Sequence, residues 1–273
     1  MPIKLIAIDI DGTLLTDQRQ ISPRTREVLT RATAAGIKVV LRTGRPMPGV
    51  ADYLTTLGLA DQDDQYVITF NGALAQTTSG KPLVEATVAF ADYLDLNLFA
   101  AKHQVKSLIE SRDLIYTTNQ DISPYTVRES FLVKQPICYR SIEQLVPLQE
   151  QLLIGKVMLT DKPAKLDAIV PLLPEALTKR FTFIRSEDFY LEAVNPAAGK
   201  GNALRKLAAK LGIAIAETMA IGNAPNDESM LEAAGLGVAM GNAVPSTIAC
   251  AQVTVADNNH DGVAEAVDRY ALH

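Results

Sequence analysis

Ile3-Lys4-Leu5-Ile6-Ala7-Ile8-Asp9-Ile10-Asp11-Gly12-Thr13 opens on a near-continuous apolar run and closes on two aspartates one residue apart. A strand that is apolar on both of its faces is covered on both sides, as in a parallel sheet flanked by helices. Side chains alternate along a strand, so Asp9 and Asp11 point the same way. Two carboxylates that close, beside an apolar core, repel each other unless a cation, a shared proton or a hydrogen-bond network compensates them. Asp-Gly is also a common turn dipeptide. The segment therefore reads as a strand end that is at once a turn and a candidate site.

Working outward, Ser22-Pro23 reads as N-cap and first residue of a helix over 22–35, with Gly36 as its stop. A short apolar strand over 37–41 runs into Arg42-Thr43-Gly44-Arg45-Pro46, and a helix over 48–57 leads to a strand over 66–70 and the turn Asn71-Gly72. Strands alternating with helices predict an α/β fold whose ligands collect beyond the carboxyl ends of the strands. The pattern returns as a helix over 201–211, a strand over 218–221, a helix over 227–234, a strand over 237–240 and a helix over 262–270. Between them the texture changes: strands are expected over 114–117, 155–160, 181–185 and 190–194, with helical stretches over 93–110 and 163–173. This predicts a core domain made of residues 1–83 and 191–273, with an α+β domain of residues 84–190 inserted into it.

The chain has 273 residues, with 26 basic and 31 acidic side chains and a net charge of −5, which speaks against a general nucleic-acid binder. Cys138 and Cys250 stand far apart without ligand-spaced neighbours, so neither a disulfide framework nor a zinc site is expected, and a reducing cytoplasm fits. No apolar run is long enough for a membrane span, and none opens the chain as a leader would. His103, His260 and His273 are too scattered for a histidine-based triad.

Four clusters can carry chemistry. At the first, one aspartate can attack a phosphoryl group while the other protonates the leaving oxygen and then activates water. The second, Thr43-Gly44, offers a hydroxyl and an unobstructed N–H to a phosphate oxygen, whereas Arg45 reads equally as a helper or as half of a surface ion pair. In the third, Gly199-Lys200-Gly201, an ammonium stands at a helix start, though a lone lysine is usually solvated. The fourth, Gly222-Asn223-Ala224-Pro225-Asn226-Asp227, gathers oxygen donors suited to Mg²⁺, and reads also as a helix cap at Asn226 with Asp227 on the helix dipole.

In this order the clusters resemble the motifs of the haloacid dehalogenase superfamily of phosphohydrolases, in its Cof-type branch. Phe70-Asn71-Gly72-Ala73 and the segment 237–243 are further hallmarks of that branch, and the tract 121–130 looks like that of a sugar phosphatase within it. The resemblance spans essentially the whole chain. It implies a Rossmann-like parallel-sheet core with an inserted type IIB cap that sets substrate choice. It implies Asp9 as nucleophile, Asp11 as general acid and base, and Thr43, Gly44, Lys200 and Asn226 as the phosphate-binding set. Mg²⁺ would be held by Asp9, Asp11, Asn223 and Asp227. The expected activity is Mg²⁺-dependent hydrolysis of small phosphorylated metabolites, sugar phosphates foremost, by a cytoplasmic monomer or homodimer. One departure stands out: the fourth motif usually begins Gly-Asp, and here it begins Gly222-Asn223. A neutral ligand there weakens the metal site, which leaves a phospho-ligand-binding protein with attenuated catalysis as the competing expectation. Arg128, Lys156, Tyr116 and Glu192 are candidates for substrate contact in the cap, although each taken singly reads as an exposed group.

Overall fold

The computed structural model describes residues 2–272. His273, one of the scattered histidines, lies outside them. The chain divides into two compact units, one running to Gly44, over Ala51–Glu85 and from Gly199 onward, the other made of Arg45–Val50 and Ala86–Ala198.

The first unit is built on a sheet of eight strands. They are β1 (Leu5–Asp9), β2 (Lys38–Arg42), β3 (Tyr66–Thr69), β4 (Leu74–Thr77), β5 (Pro82–Glu85) and, after the second unit, β12 (Thr218–Gly222), β13 (Leu236–Ala239) and β14 (Val253–Thr254). Their order is β14-β13-β12-β1-β2-β3-β4-β5. The six strands from β14 to β3 run parallel, and β4 and β5 turn back antiparallel at one edge. Every residue of β1 and β12 is buried, as expected for central strands covered on both faces. One face packs Leu5, Ala7, Val40, Ile68 and Ala220 against Leu204 and Leu207 of the helix Lys200–Lys210 and Met230 and Leu231 of Glu228–Ala233. On the other, the helix Pro23–Ala34 buries Val28, Leu29 and Ala32, and its Ser22 cap accepts a hydrogen bond from the Thr25 N–H at 3.1 Å.

Chain order runs from β1 to β2 and β3 on one side and from β12 to β13 and β14 on the other, so a topological switch point falls between β1 and β12. A crevice for ligands opens at such a point, beyond the carboxyl ends of the strands.

The second unit has its own sheet of six strands, ordered β10-β11-β9-β6-β7-β8. These are β6 (Lys106–Glu110), β7 (Ile115–Thr117), β8 (Ile137–Tyr139), β9 (Lys156–Thr160), β10 (Thr182–Glu187) and β11 (Tyr190–Val194). One face carries a core of Ile109, Val157, Leu159, Leu191 and Ala193 with Leu96 and Phe99 of the helix Phe90–Lys102. The other places Leu108, Met158 and Tyr190 against Val133 of the helix Pro124–Val133.

Several expectations are corrected. The helix expected over 93–110 ends at Lys102, because Gln104 adopts a left-handed φ of 55° and the chain re-enters the sheet as β6. The helical stretch over 163–173 is a helix only over Pro163–Ile169, followed by a 3₁₀ turn at Val170–Leu172, where Pro171 lacks the N–H needed to continue it. The helix over 48–57 becomes a 3₁₀ turn at Met47–Gly49 and a helix over Ala51–Thr56. The strand expected over 190–194 is β11, which pairs with β9 and β10 in the second unit, and that unit runs to Ala198.

Candidate active site

Asp9 is the last residue of β1, only 8% exposed. The backbone then leaves the strand through an irregular turn in which Gly12 adopts φ +73°, and a Cβ there would stand 2.6 Å from Asn223 Nδ2. The positive φ favours glycine at 12, and any larger residue would also push the Asn223 amide aside. The turn leaves Asp11 exposed while Asp9 stays buried. Thr13 Oγ1 donates to Asn223 Oδ1 at 3.0 Å, tying the β1 turn to the loop after β12.

Lys200 begins its helix almost fully buried, at 3% exposure. Its ammonium donates to Asp9 Oδ1 at 3.2 Å and, at very short range, to Asp227 Oδ1. Asp227 has no exposed surface, and its Oδ2 accepts from the N–H groups of Asn223 and Ala224 at 3.0 and 3.1 Å. This closes the fourth-motif loop on itself. Thr43 is buried beyond the end of β2, and its carbonyl accepts from the Asn71 N–H at 3.0 Å, with Asn71 held at φ 55°.

The structure therefore brings Asp9, Lys200 and Asp227 into direct contact and sets Asn223 at the side of the same turn. Asn226 stands exposed in the loop. Asp227 has both carboxylate oxygens engaged, Oδ1 by Lys200 and Oδ2 by the two N–H groups of its own loop, and its side chain does not reach the surface. Among the described residues, no group of three or more His, Cys, Asp or Glu side chains converges as a metal cage would. The oxygen donors gathered here for a hard cation are the Asp9 and Asp227 carboxylates, the Asp11 main chain and the Asn223 amide oxygen, the last already accepting from Thr13. Burial pushes the Asp9 carboxyl up to about 7, Lys200 pulls against this, and the charges of Asp227 and Asp11 add to the rise. An all-oxygen donor set fits Mg²⁺, which keeps several waters and needs few protein ligands.

One residue at this site was absent from the sequence reading. Arg42 closes β2, is register partner of Asp9 and is completely buried. Its Nη1 donates to Asp9 Oδ1 at 3.2 Å and lies 3.7 Å from Asp227 Oδ1, while Nη2 donates to Asn71 Oδ1 at 3.3 Å. The signal was an arginine ending an otherwise apolar strand immediately before Thr43-Gly44.

The second unit's candidates separate. Lys156 and Glu192, expected to be exposed, are buried at 3% and 5%, because the ammonium is enclosed by Glu110 at 3.1 Å, Glu192 at 3.1 Å and Glu129 at 3.9 Å. Burial alone would lower the pKa of Lys156, but the three carboxylates outweigh it and raise it. Tyr116 is half-buried against the core of that unit. Arg128 is exposed, paired with Glu187 at 3.3 Å and lying over the Phe189 ring.

A buried aspartate at a switch point, a second aspartate two residues on and a buried lysine on the first are the arrangement of an α/β enzyme site beyond the strand ends. The haloacid dehalogenase-like hydrolase family matches residues 6–267, and the chain belongs to that family. Among its relatives, YxeH of Bacillus subtilis (strain 168), provisionally named a phosphatase, is 41% identical over 270 residues, covering 98% of both chains. A Streptococcus pyogenes serotype M6 protein with the same provisional name is 40% identical over the full length of both. A solved haloacid dehalogenase-like hydrolase from Bacteroides thetaiotaomicron superposes with a TM-score of 0.86 at 31% identity, covering 98% of this chain and 99% of that one.

Proposed function

We propose that this protein hydrolyses phosphate monoesters of small metabolites, sugar phosphates foremost, by way of a phosphoryl group carried on Asp9. The observation that supports it most is the Asp9 carboxylate itself: buried at a strand end, gripped at Oδ1 by Lys200 and Arg42, with Asp11 exposed two residues away. With Oδ1 held, Oδ2 attacks phosphorus, and the ester P–O bond breaks as the Asp11 carboxyl protonates the leaving oxygen. Asp11, now a carboxylate, takes a proton from water. That water attacks phosphorus, the Asp9–phosphorus bond breaks, and inorganic phosphate leaves.

Thr43 and Gly44 supply a hydroxyl and an N–H to the phosphoryl oxygens, and Lys200 supplies charge at fixed geometry, so the rate gain comes from positioning and electrostatics. Asn226, exposed in the fourth-motif segment, completes the phosphate-binding set of this reading. Mg²⁺ held by Asp9, Asp11, Asn223 and Asp227 would, when bound, neutralise phosphoryl charge. The tract 121–130 favours sugar phosphates among the substrates. The two unpaired cysteines suit a reducing cytoplasm. The test is inorganic phosphate released from a panel of sugar and other metabolite phosphates, with and without Mg²⁺. Release that Asp9→Asn abolishes supports the reading, and no release from any member of the panel overturns it.

A further inference from the structure

Arg42 is the most costly side chain in the first unit to explain as structure alone. A guanidinium with no exposed surface loses its hydration and must recover it from partners. Here the recovery is incomplete, since Nε has no hydrogen-bond partner. The partners that exist converge on the site. Nη1 shares Asp9 Oδ1 with Lys200, both at 3.2 Å, and the same Nη1 lies 3.7 Å from Asp227 Oδ1. The parallel register of β1 and β2 sets Asp9 directly beside Arg42, so the pairing is fixed by the sheet and not by a mobile loop. Two buried cations thus sit on one oxygen of the carboxylate, while the neighbouring oxygen donor at 223 is a neutral amide already accepting from Thr13.

We propose that Arg42 is a positioning residue that serves as a built-in counter-cation for Asp9: it holds the carboxylate oriented, and its fixed charge lowers the site's affinity for Mg²⁺. The inference rests on the reading of Asp9 as nucleophile, but its consequence is a binding property of the protein. A divalent ion at Asp9 meets a fixed positive charge a few ångströms away in a poorly solvated place, where like charges are weakly screened. Neutral Asn223 returns none of the attraction that a carboxylate would give. The chain balances its own site charge, and Mg²⁺ becomes an addition to that balance instead of its foundation.

Calorimetric titration of the purified full-length protein with MgCl₂ tests this without reference to turnover. The wild-type protein is expected to bind Mg²⁺ with Kd weaker than roughly 1 mM. Arg42→Met, which keeps the apolar stem and removes the charge, is expected to tighten Kd by at least about tenfold, while Arg42→Lys stays within about threefold of wild type. Arg42→Gln gives a second neutral variant should the methionine not fold. In parallel, the ratio of phosphate release with Mg²⁺ to release with chelator should rise in the neutral variants and not in Arg42→Lys. Micromolar Mg²⁺ binding by the wild type overturns the inference, as does a folded neutral variant whose Kd matches wild type, which would make Arg42 a structural tie only. Absence of phosphate release throughout would instead count against the hydrolase reading, and the titration would still decide the role of Arg42.

Discussion

Replacing Lys156 by Met should be among the most damaging single changes in the second unit, and its cost should depend on pH. Lys156 on β9 lies across from its register partner Glu110 and within 3.1 Å of Glu110 and Glu192 and 3.9 Å of Glu129, all of them almost completely buried. Methionine keeps most of the stem volume, so the loss is electrostatic. Three carboxylates are left facing one another without a cation. Removing one partner of a buried ion pair costs roughly 3–5 kcal/mol, because the survivor stays charged in a poor solvent. At pH 8 the variant should lose that amount. At pH 5 the orphaned carboxyls take up protons more readily, and the loss should shrink to a fraction of it. Urea unfolding followed by circular dichroism at both pH values measures this, with an expected drop in midpoint of roughly 1 M or more at pH 8. A variant within about 0.5 kcal/mol of wild type at both pH values would refute the argument, since that is what an ordinary exposed substitution does.

In the same cluster, burial pushes the Glu110 carboxyl well above its ordinary 4.5, with Glu129 and Glu192 reinforcing the rise and Lys156 opposing it. Below 4.5 the group is protonated whether the chain is folded or not; above it, the unfolded chain releases a proton that the folded one keeps, so this group's contribution to stability falls as pH rises. Glu110→Gln should therefore match wild type near pH 5 and exceed it at pH 8 in urea midpoint, and equal or reversed midpoints would contradict the assignment. At the active site, Asn223→Asp adds an anionic oxygen to the donor set and should raise phosphate release at limiting Mg²⁺ by roughly 10–100-fold. Unchanged dependence of the rate on Mg²⁺ concentration would remove position 223 from that set.

Much of the first unit was legible because its signals are local. The apolar run into Asp9, the Ser22-Pro23 start and the apolar runs of β2 and β12 each announce an element without help from the rest of the chain. What escaped depends on non-local partners. Strand β6 follows a helix with only the left-handed Gln104 as a break, and its Ser107 and Glu110 are buried polar residues that blur the apolar pattern of a strand. Lys156 and Glu192 look like surface charges until register sets them beside Glu110 and Met158. Arg42 is the clearest case. Its side chain is charged and sits next to a turn, so composition assigns it to solvent, yet pairing of β1 with β2 places it against Asp9. Asp227 was legible as a site residue but its contacts were not, because the two backbone N–H groups and the lysine that meet its oxygens come from the closing of its own loop and from a helix 27 residues earlier.

The most direct test of the account is to incubate the protein with acetyl phosphate or with the best substrate of the panel, quench it in acid, and locate the added phosphoryl group by peptide mass spectrometry. One phosphoryl mass is expected on the peptide that contains Asp9, lost in Asp9→Asn and accumulating in Asp11→Asn, where the activation of water is impaired. Substrate turnover with no label on Asp9 in either the wild-type protein or Asp11→Asn would contradict it.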